Sequence, residues 1–249
     1  MSLRLGIAVN DESVLKGARE TDPVEVVLVR STFLNPPRAA SVKRLAQRLR
    51  ARHPKAELIP YAWHYLSHEP DDGIVVGTNR SLDDTGSYGH FRDTPAVNQA
   101  WAVTKVTAEA LGTRSFVVGT PPSFSPGNLS RRRMTRFVEQ ARAEGYSMIW
   151  EAQGLWETQA AAAFGSTIDV EVYAPAFGMT GQVLELDGVD WLRVAGGKDA
   201  RVRSSNAEVL AYALAERMDA DPEASLTLIF DGPRCYTNLR TFVSALEML

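Results

Sequence analysis

Cysteine is almost absent: Cys235 is the one thiol in 249 residues. A single cysteine excludes an internal disulfide framework and a thiolate-rich zinc site, and it suits a buried core thiol in a reducing cytoplasm. Long apolar runs are missing as well. Nothing approaches the roughly 18 consecutive apolar residues of a membrane span, and Met1-Ser2-Leu3-Arg4 leads into a strand pattern rather than a signal peptide, so no membrane partner is expected. The chain also lacks an excess of one charge. With 27 Lys plus Arg against 30 Asp plus Glu, the net charge of −3 gives no field that would draw the protein to nucleic acid. Any basic surface must be local. Glycine-rich phosphate fingerprints are absent too: Val9-Asn10-Asp11-Glu12 follows the first strand pattern, and Gly196-Gly197-Lys198 lacks the spacing of a phosphate loop. No cofactor is implied.

What is present is a regular alternation. At 45% apolar residues the chain can bury one large core, so residues 1–249 are expected to form a single domain. Apolar runs of strand length occupy Leu3–Asn10, Val24–Arg30, Glu57–Trp63, Ser115–Pro121, Ser147–Gln153, Ile168–Pro175, Val189–Gly196 and Ser225–Gly232. Between them lie helical stripes: Val42, Leu45, Ala46 and Leu49, then Met134, Phe137, Val138 and Ala141, then Leu239, Phe242, Val243 and Leu246. Thr94-Pro95 reads as a helix start, and Gly112 and Gly145 as helix stops. Eight βα units in this length predict a (β/α)8 barrel, with an open doubly wound sheet as the alternative. Residues 176–188 are too short and too glycine-rich for a full sixth helix. Residues 71–92, dense in Asp, Gly, Ser and Thr, form a long excursion before the third helix, of the kind that shapes a mouth or lid.

Barrel chemistry gathers at the C-terminal strand ends. Glu151, Arg193, His64 and Asp231 are the candidate catalytic residues there, with Arg30, Trp63, His68, Thr120, Gln153 and Tyr173 as pocket residues; Asn10 ends the first strand. Ile149, Glu151 and Gln153 would share one strand face, and a carboxylate facing packed helices would need a dedicated partner, so Glu151 is expected to point inward. It suits general acid or base chemistry, or equally a structural ion pair with Arg193 or Arg30. His64 and His68, four apart, could share a helical face as metal ligands, but no carboxylate motif accompanies them and no metal is implied; separate loop hydrogen bonds are the plainer expectation. Asp231-Gly232-Pro233 is a turn as readily as a ligand site. Arg131, Arg132, Arg133, Arg136 and Arg142 read as a solvated helix face, with a phosphate-binding patch as the alternative.

Several of these segments together resemble one family. Ser31-Thr32-Phe33 with Pro36-Pro37, Ala62-Trp63 with Ser67-His68, Ala100-Trp101 through Lys105, Thr120-Pro121-Pro122-Ser123-Phe124, Trp150-Glu151 with Gly154 and Trp156, Trp191-Leu192-Arg193 and Phe230-Asp231 follow the order and spacing of the YecE-like barrels, domain of unknown function 72. The resemblance runs from Ser31 nearly to the C-terminus and implies the (β/α)8 fold. It also exposes departures at strand ends. Leu28 stands for a family glutamate, Arg30 for an amide, Tyr61 for a lysine and Gly119 for a glutamine. Gln153 replaces an arginine, Ala174 an aspartate, Ala195 a histidine and Asp231-Gly232 an asparagine pair.

Charged groups at a barrel mouth cost stability, so their replacement is expected once selection for chemistry lapses. Three functions remain open at this point. The favoured one is a non-catalytic module, a pseudoenzyme, that binds an unknown small molecule or protein. The second is an enzyme acting on a small phosphorylated or carbohydrate substrate, with Glu151 as acid or base. The third, not favoured, is nucleic-acid binding through the arginine-rich helix.

Overall fold

A computed structural model of the chain describes residues 2–74, 82–83, 87–185, 187–196, 199–221, 223 and 225–249. The strands are β1 (Ser2–Val9), β2 (Val26–Val29), β3 (Glu57–Pro60), β4 (Ser115–Gly119), β5 (Ser147–Glu151), β6 (Glu171–Pro175), β7 (Trp191–Ala195) and β8 (Ser225–Asp231). They form one sheet in the order β3-β2-β1-β8-β7-β6-β5-β4. The two ends of that order meet through a parallel bridge between Tyr61 and Val117, reinforced by the Ala62 N–H donating to the Val117 carbonyl at 2.8 Å. Eight parallel strands closed in this way are a (β/α)8 barrel. The strand sequences explain the closure: Val26–Val29 are buried throughout, as are Leu226–Phe230, because a barrel strand has no solvent face.

Helices α1 (Ala39–Arg52), α2 (Pro95–Leu111), α3 (Asn128–Ala143), α4 (Thr158–Thr167), α5 (Ser204–Ala220) and α6 (Cys235–Leu246) follow β2, β3, β4, β5, β7 and β8. Their anticipated stripes are inside: Val42, Leu45, Ala46 and Leu49 on α1, and Met134, Phe137, Val138 and Ala141 on α3. On α6, Leu239 and Phe242 are buried while Val243 and Leu246 are only half-buried. The Thr94 side chain caps α2 by accepting from the Val97 N–H, and Gly112 ends it at φ 77°. Among the described residues no α-helix joins β6 to β7, as the glycine-rich 176–188 stretch foretells. The Phe177–Val183 bridge turns the chain there instead. The β1–β2 connection is a surprise, a 3-10 segment Glu12–Gly17 in which only Leu15 is buried. One buried apolar side chain offers no stripe for a full helix.

The chain divides into two compact units. The first comprises Met1–Leu28, Leu49–Glu57 and Tyr173–Leu249. In it Phe230 meets Phe242 with ring centroids 5.8 Å apart, His53 Nε2 lies 2.8 Å from the Tyr236 hydroxyl, and Arg240 donates to buried Asp22 at 2.8 Å. The second comprises Val29–Arg48 and Leu58–Val172. Its core is aromatic: Trp101 packs on Phe116, Phe137 and Tyr146, and Phe91 packs on Phe124 and Phe137. Among the described residues no helix is long and apolar enough to cross a membrane. Residues 75–81 and 84–86 of the long excursion, and Gly197-Lys198, lie outside the described residues.

Candidate functional site

In the second unit, the turns after β4 and β5 lock together. Trp150 Nε1 donates to Thr120 Oγ1 at 3.0 Å, Trp156 Nε1 donates to the Phe124 carbonyl at 2.7 Å, and the Thr120 N–H donates to the Glu151 carbonyl at 3.0 Å. Gly154, at φ 71°, presses against Pro122 so closely that a Cβ would lie 2.5 Å from the Pro122 Cα. The Thr-Pro-Pro and Trp-Glu segments therefore share one structural task. Their most recognisable side chains satisfy indole N–H groups and backbone in a buried turn pair, where an unpaired polar atom would cost about 1–3 kcal/mol.

Glu151 ends β5 and its side chain is about 5% exposed. Its Oε2 accepts from the Tyr61 hydroxyl at 2.9 Å, and a guanidinium nitrogen of Arg30 lies 3.4 Å from each carboxylate oxygen. The same guanidinium sits over the Tyr61 ring, 5.0 Å from its centroid. Across the ladder from Glu151 stands Gly119, where an added Cβ would make only ordinary contact, 3.7 Å from Oε2. Arg30 and Tyr61 thus converge on one acid, with Gly119 beside it. A buried carboxylate needs this neutralisation, and the cation–π contact holds the cation in place. Tyr61 escaped the list of site residues because a tyrosine at a strand end reads as core. What identifies it is its hydroxyl, which reaches Glu151 Oε2 at 2.9 Å.

Most other polar groups around this site are held in structural hydrogen bonds. Buried Thr32, one residue from the family-like Phe33, donates through Oγ1 to the Val29 and Tyr61 carbonyls at 2.8 and 2.7 Å. Trp63 is buried, its backbone N–H donating to Thr104 Oγ1 while its indole Nε1 has no hydrogen-bond partner among the described residues. His64 Nδ1 donates to the Phe33 carbonyl at 3.1 Å. Ser67 Oγ donates to the Gly119 carbonyl at 2.7 Å, so at the 2.9 Å contact between them His68 Nδ1 must be the donor to Ser67. Burial holds both imidazoles below their ordinary proton affinity, His68 down to about 4. Among the described residues no group of three His, Cys, Asp or Glu side chains is placed to hold a metal. Gln153 is exposed beyond the end of β5, which stops at Glu151, so the face shared by Ile149, Glu151 and Gln153 does not exist.

In the first unit, Tyr173 is buried on β6. Asp231 closes β8 with Oδ1 accepting from the Gly232 N–H at 2.7 Å, and Gly232 adopts φ 93°, which is the turn reading of Asp-Gly-Pro. Arg193 lines a cleft of about 710 Å³ bounded by the β6–β7 connection and the start of α5, with Arg201, Arg203 and Asn206. Cys235 is buried, and burial pushes its thiol up to about 12, so it is inert at neutral pH.

The arginine run of α3 is not one solvated face. Arg131 lies over the Trp156 and Phe164 rings at 4.8 Å each and donates to the Pro126 carbonyl. Arg136 pairs with Asp93 at 3.1 Å and Arg142 with Asp169 at 3.1 Å. Arg131→Gln should therefore lower stability by about 1–2 kcal/mol, while Arg132→Gln should stay within about 0.5 kcal/mol. Urea titrations of the two variants compare them directly, and equal effects would contradict the stacking.

No family model matches the chain, and no curated protein matches it. Solved structures do. A DUF72 family protein from Enterococcus faecalis superposes with a TM-score of 0.65 at 9% identity, over 98% of this chain and 95% of that one. A second DUF72 family protein, from Thermotoga maritima, gives 0.64 at 12% identity over 99% and 100%. A xylose isomerase domain containing protein from Salmonella typhimurium gives 0.57 at 10% identity over 98% and 97%. At such identities the likeness carries the fold, and the chain has the (β/α)8 barrel fold of the two DUF72 family proteins along essentially its whole length.

Proposed function

We propose that residues 1–249 form one divergent YecE-like (DUF72) barrel domain, a cytoplasmic binding or interaction module whose strand-end carboxylate is structural rather than catalytic. Family membership is supported by the fold shared with two DUF72 proteins together with the ordered segments from Ser31 onward. The observation that carries the functional reading is the Arg30–Tyr61–Glu151 knot, in which a buried acid is held by a cation and a hydroxyl. A general acid or base must exchange its proton with a substrate, whereas here Oε2 accepts from Tyr61 and both carboxylate oxygens face the Arg30 guanidinium.

Stability measures the difference. A carboxylate kept for chemistry is strained, so neutralising it often stabilises a working enzyme, whereas breaking a structural pair destabilises. Glu151→Gln and Arg30→Met are each expected to cost about 1–3 kcal/mol. Because they remove one interaction, the double variant should cost less than their sum by at least about 0.5 kcal/mol. Denaturant unfolding of the two single variants and the double variant checks this. A Glu151→Gln protein more stable than the parent would instead favour the second reading, an enzyme on a small phosphorylated or carbohydrate substrate with Glu151 as acid or base.

A further inference from the structure

Two helices of the second unit begin side by side around an arginine-lined cleft that plays no part in the Glu151 knot. The cleft has a volume of about 460 Å³ and is bounded by Arg92, Asp93, Thr94 at the start of α2, and Leu129, Arg132, Arg133 and Arg136 of α3. Two of its four cations are already balanced: Arg92 pairs with Glu69 at 2.6 Å and Arg136 with Asp93 at 3.1 Å. Among the described residues Arg132 and Arg133 stand in no ion pair, although Glu69, the partner of Arg92, also acts on Arg133, and the lining of four arginines and one aspartate is predominantly positive. Burial first, and then the neighbouring Arg92 and Arg136, depress the Arg133 guanidinium below its ordinary value against the opposing pull of Glu69. The potential of α3 adds to this, since Gly127 precedes it without a side-chain cap and its first-turn N–H groups lack a side-chain acceptor.

We propose that this cleft binds the phosphate monoester of a small metabolite, with Arg132 and Arg133 holding the dianion and Leu129 offering an apolar wall to the rest of the molecule. Guanidinium groups match phosphate oxygens in pairs, and the volume falls within the range of small-molecule sites. A polynucleotide fits the same chemistry less well. It would need a stripe of cations along the helix, but Arg131 is turned onto Trp156 and Phe164, and Arg142 is spent on Asp169 and the Ile168 carbonyl. The arginines of α3 that stand in no ion pair or stack among the described residues thus gather at this cleft.

Calorimetric titration of the full chain with fructose 6-phosphate, inorganic phosphate and a short oligothymidylate tests this, with potassium chloride at matched ionic strength as the control. The expected result is saturable binding of fructose 6-phosphate and phosphate, weakened about tenfold or more in the Arg132→Gln/Arg133→Gln variant. Should the double variant not fold, Arg132→Gln alone, at an exposed position, must still weaken binding. Heats no different from potassium chloride, or binding that survives both variants, overturn the proposal. So does oligothymidylate binding that is tighter than phosphate binding, is lost in the variant and falls with salt more steeply than the slope of about two expected for two cations. None of these results depends on the Glu151 cycle, which reads stability alone.

Discussion

Replacing Gly154 by alanine should destabilise the protein by about 3 kcal/mol or more. Two costs add. At φ 71° an L-residue is strained by about 1–2 kcal/mol, and a Cβ would stand 2.5 Å from the Pro122 Cα and 2.7 Å from its carbonyl oxygen. Both close atoms are backbone, so no side chain can swing away to relieve them. The control is Gly145→Ala, at φ 79° with nothing within 4 Å of the new Cβ, which should cost only the conformational part. Urea unfolding of the two variants isolates the close approach by difference. Equal losses would mean that the interlocked turns after β4 and β5 are not held at the spacing described.

Acid should unfold this protein through its histidines before its carboxylates matter. His53, His64, His68 and His90 are all the histidines of the chain, and burial depresses the proton affinity of each. A depressed folded value means that the unfolded chain binds protons the fold refuses. Stability is therefore complete above about pH 6.5 and declines as the pH falls towards the folded values. For His68, from the ordinary 6.5 to about 4, the loss approaches about 3 kcal/mol at pH 4. The denaturant midpoint should thus drop steadily between pH 6.5 and 4.5, before ordinary carboxylates take up protons. His68→Asn, able to donate to Ser67 in the same place, should flatten that slope, and an unchanged slope would remove His68 from the explanation.

The barrel was legible because its physics is repetitive. Strands buried on both faces leave runs such as Val26–Val29, and helices with one packed side leave stripes such as Met134 to Ala141. Those patterns survive without knowledge of any partner. The site was legible only in part. Glu151 stood out, because a carboxylate in an apolar run demands a partner, and Arg30 was one of two partners considered. Tyr61 was missed because an aromatic residue ends strands for packing reasons as well as chemical ones. The aromatic stacking of Arg131 was invisible for the converse reason: consecutive arginines look solvated until the Trp156 and Phe164 rings, more than twenty residues away, arrive beneath one of them. Gln153 was placed on β5 by continuing its alternation past Glu151, where the turn built around Gly154 had already ended the strand.

The composition of the first unit has a consequence for how the chain is made. β4 and β5 pair in register from Ser115 with Ser147, so both partners emerge from the ribosome within a short interval. β1 pairs with β8 from Ser2 with Ser225, and no other segment of the sheet separates them. During synthesis at about 5–20 residues per second, β1 must wait roughly ten seconds or longer with one edge unfilled. The second unit has all its residues by Val172 and can condense while that edge is still open. An open apolar edge is a template for another chain, which places the greatest risk of misassembly in the nascent protein rather than in the finished barrel.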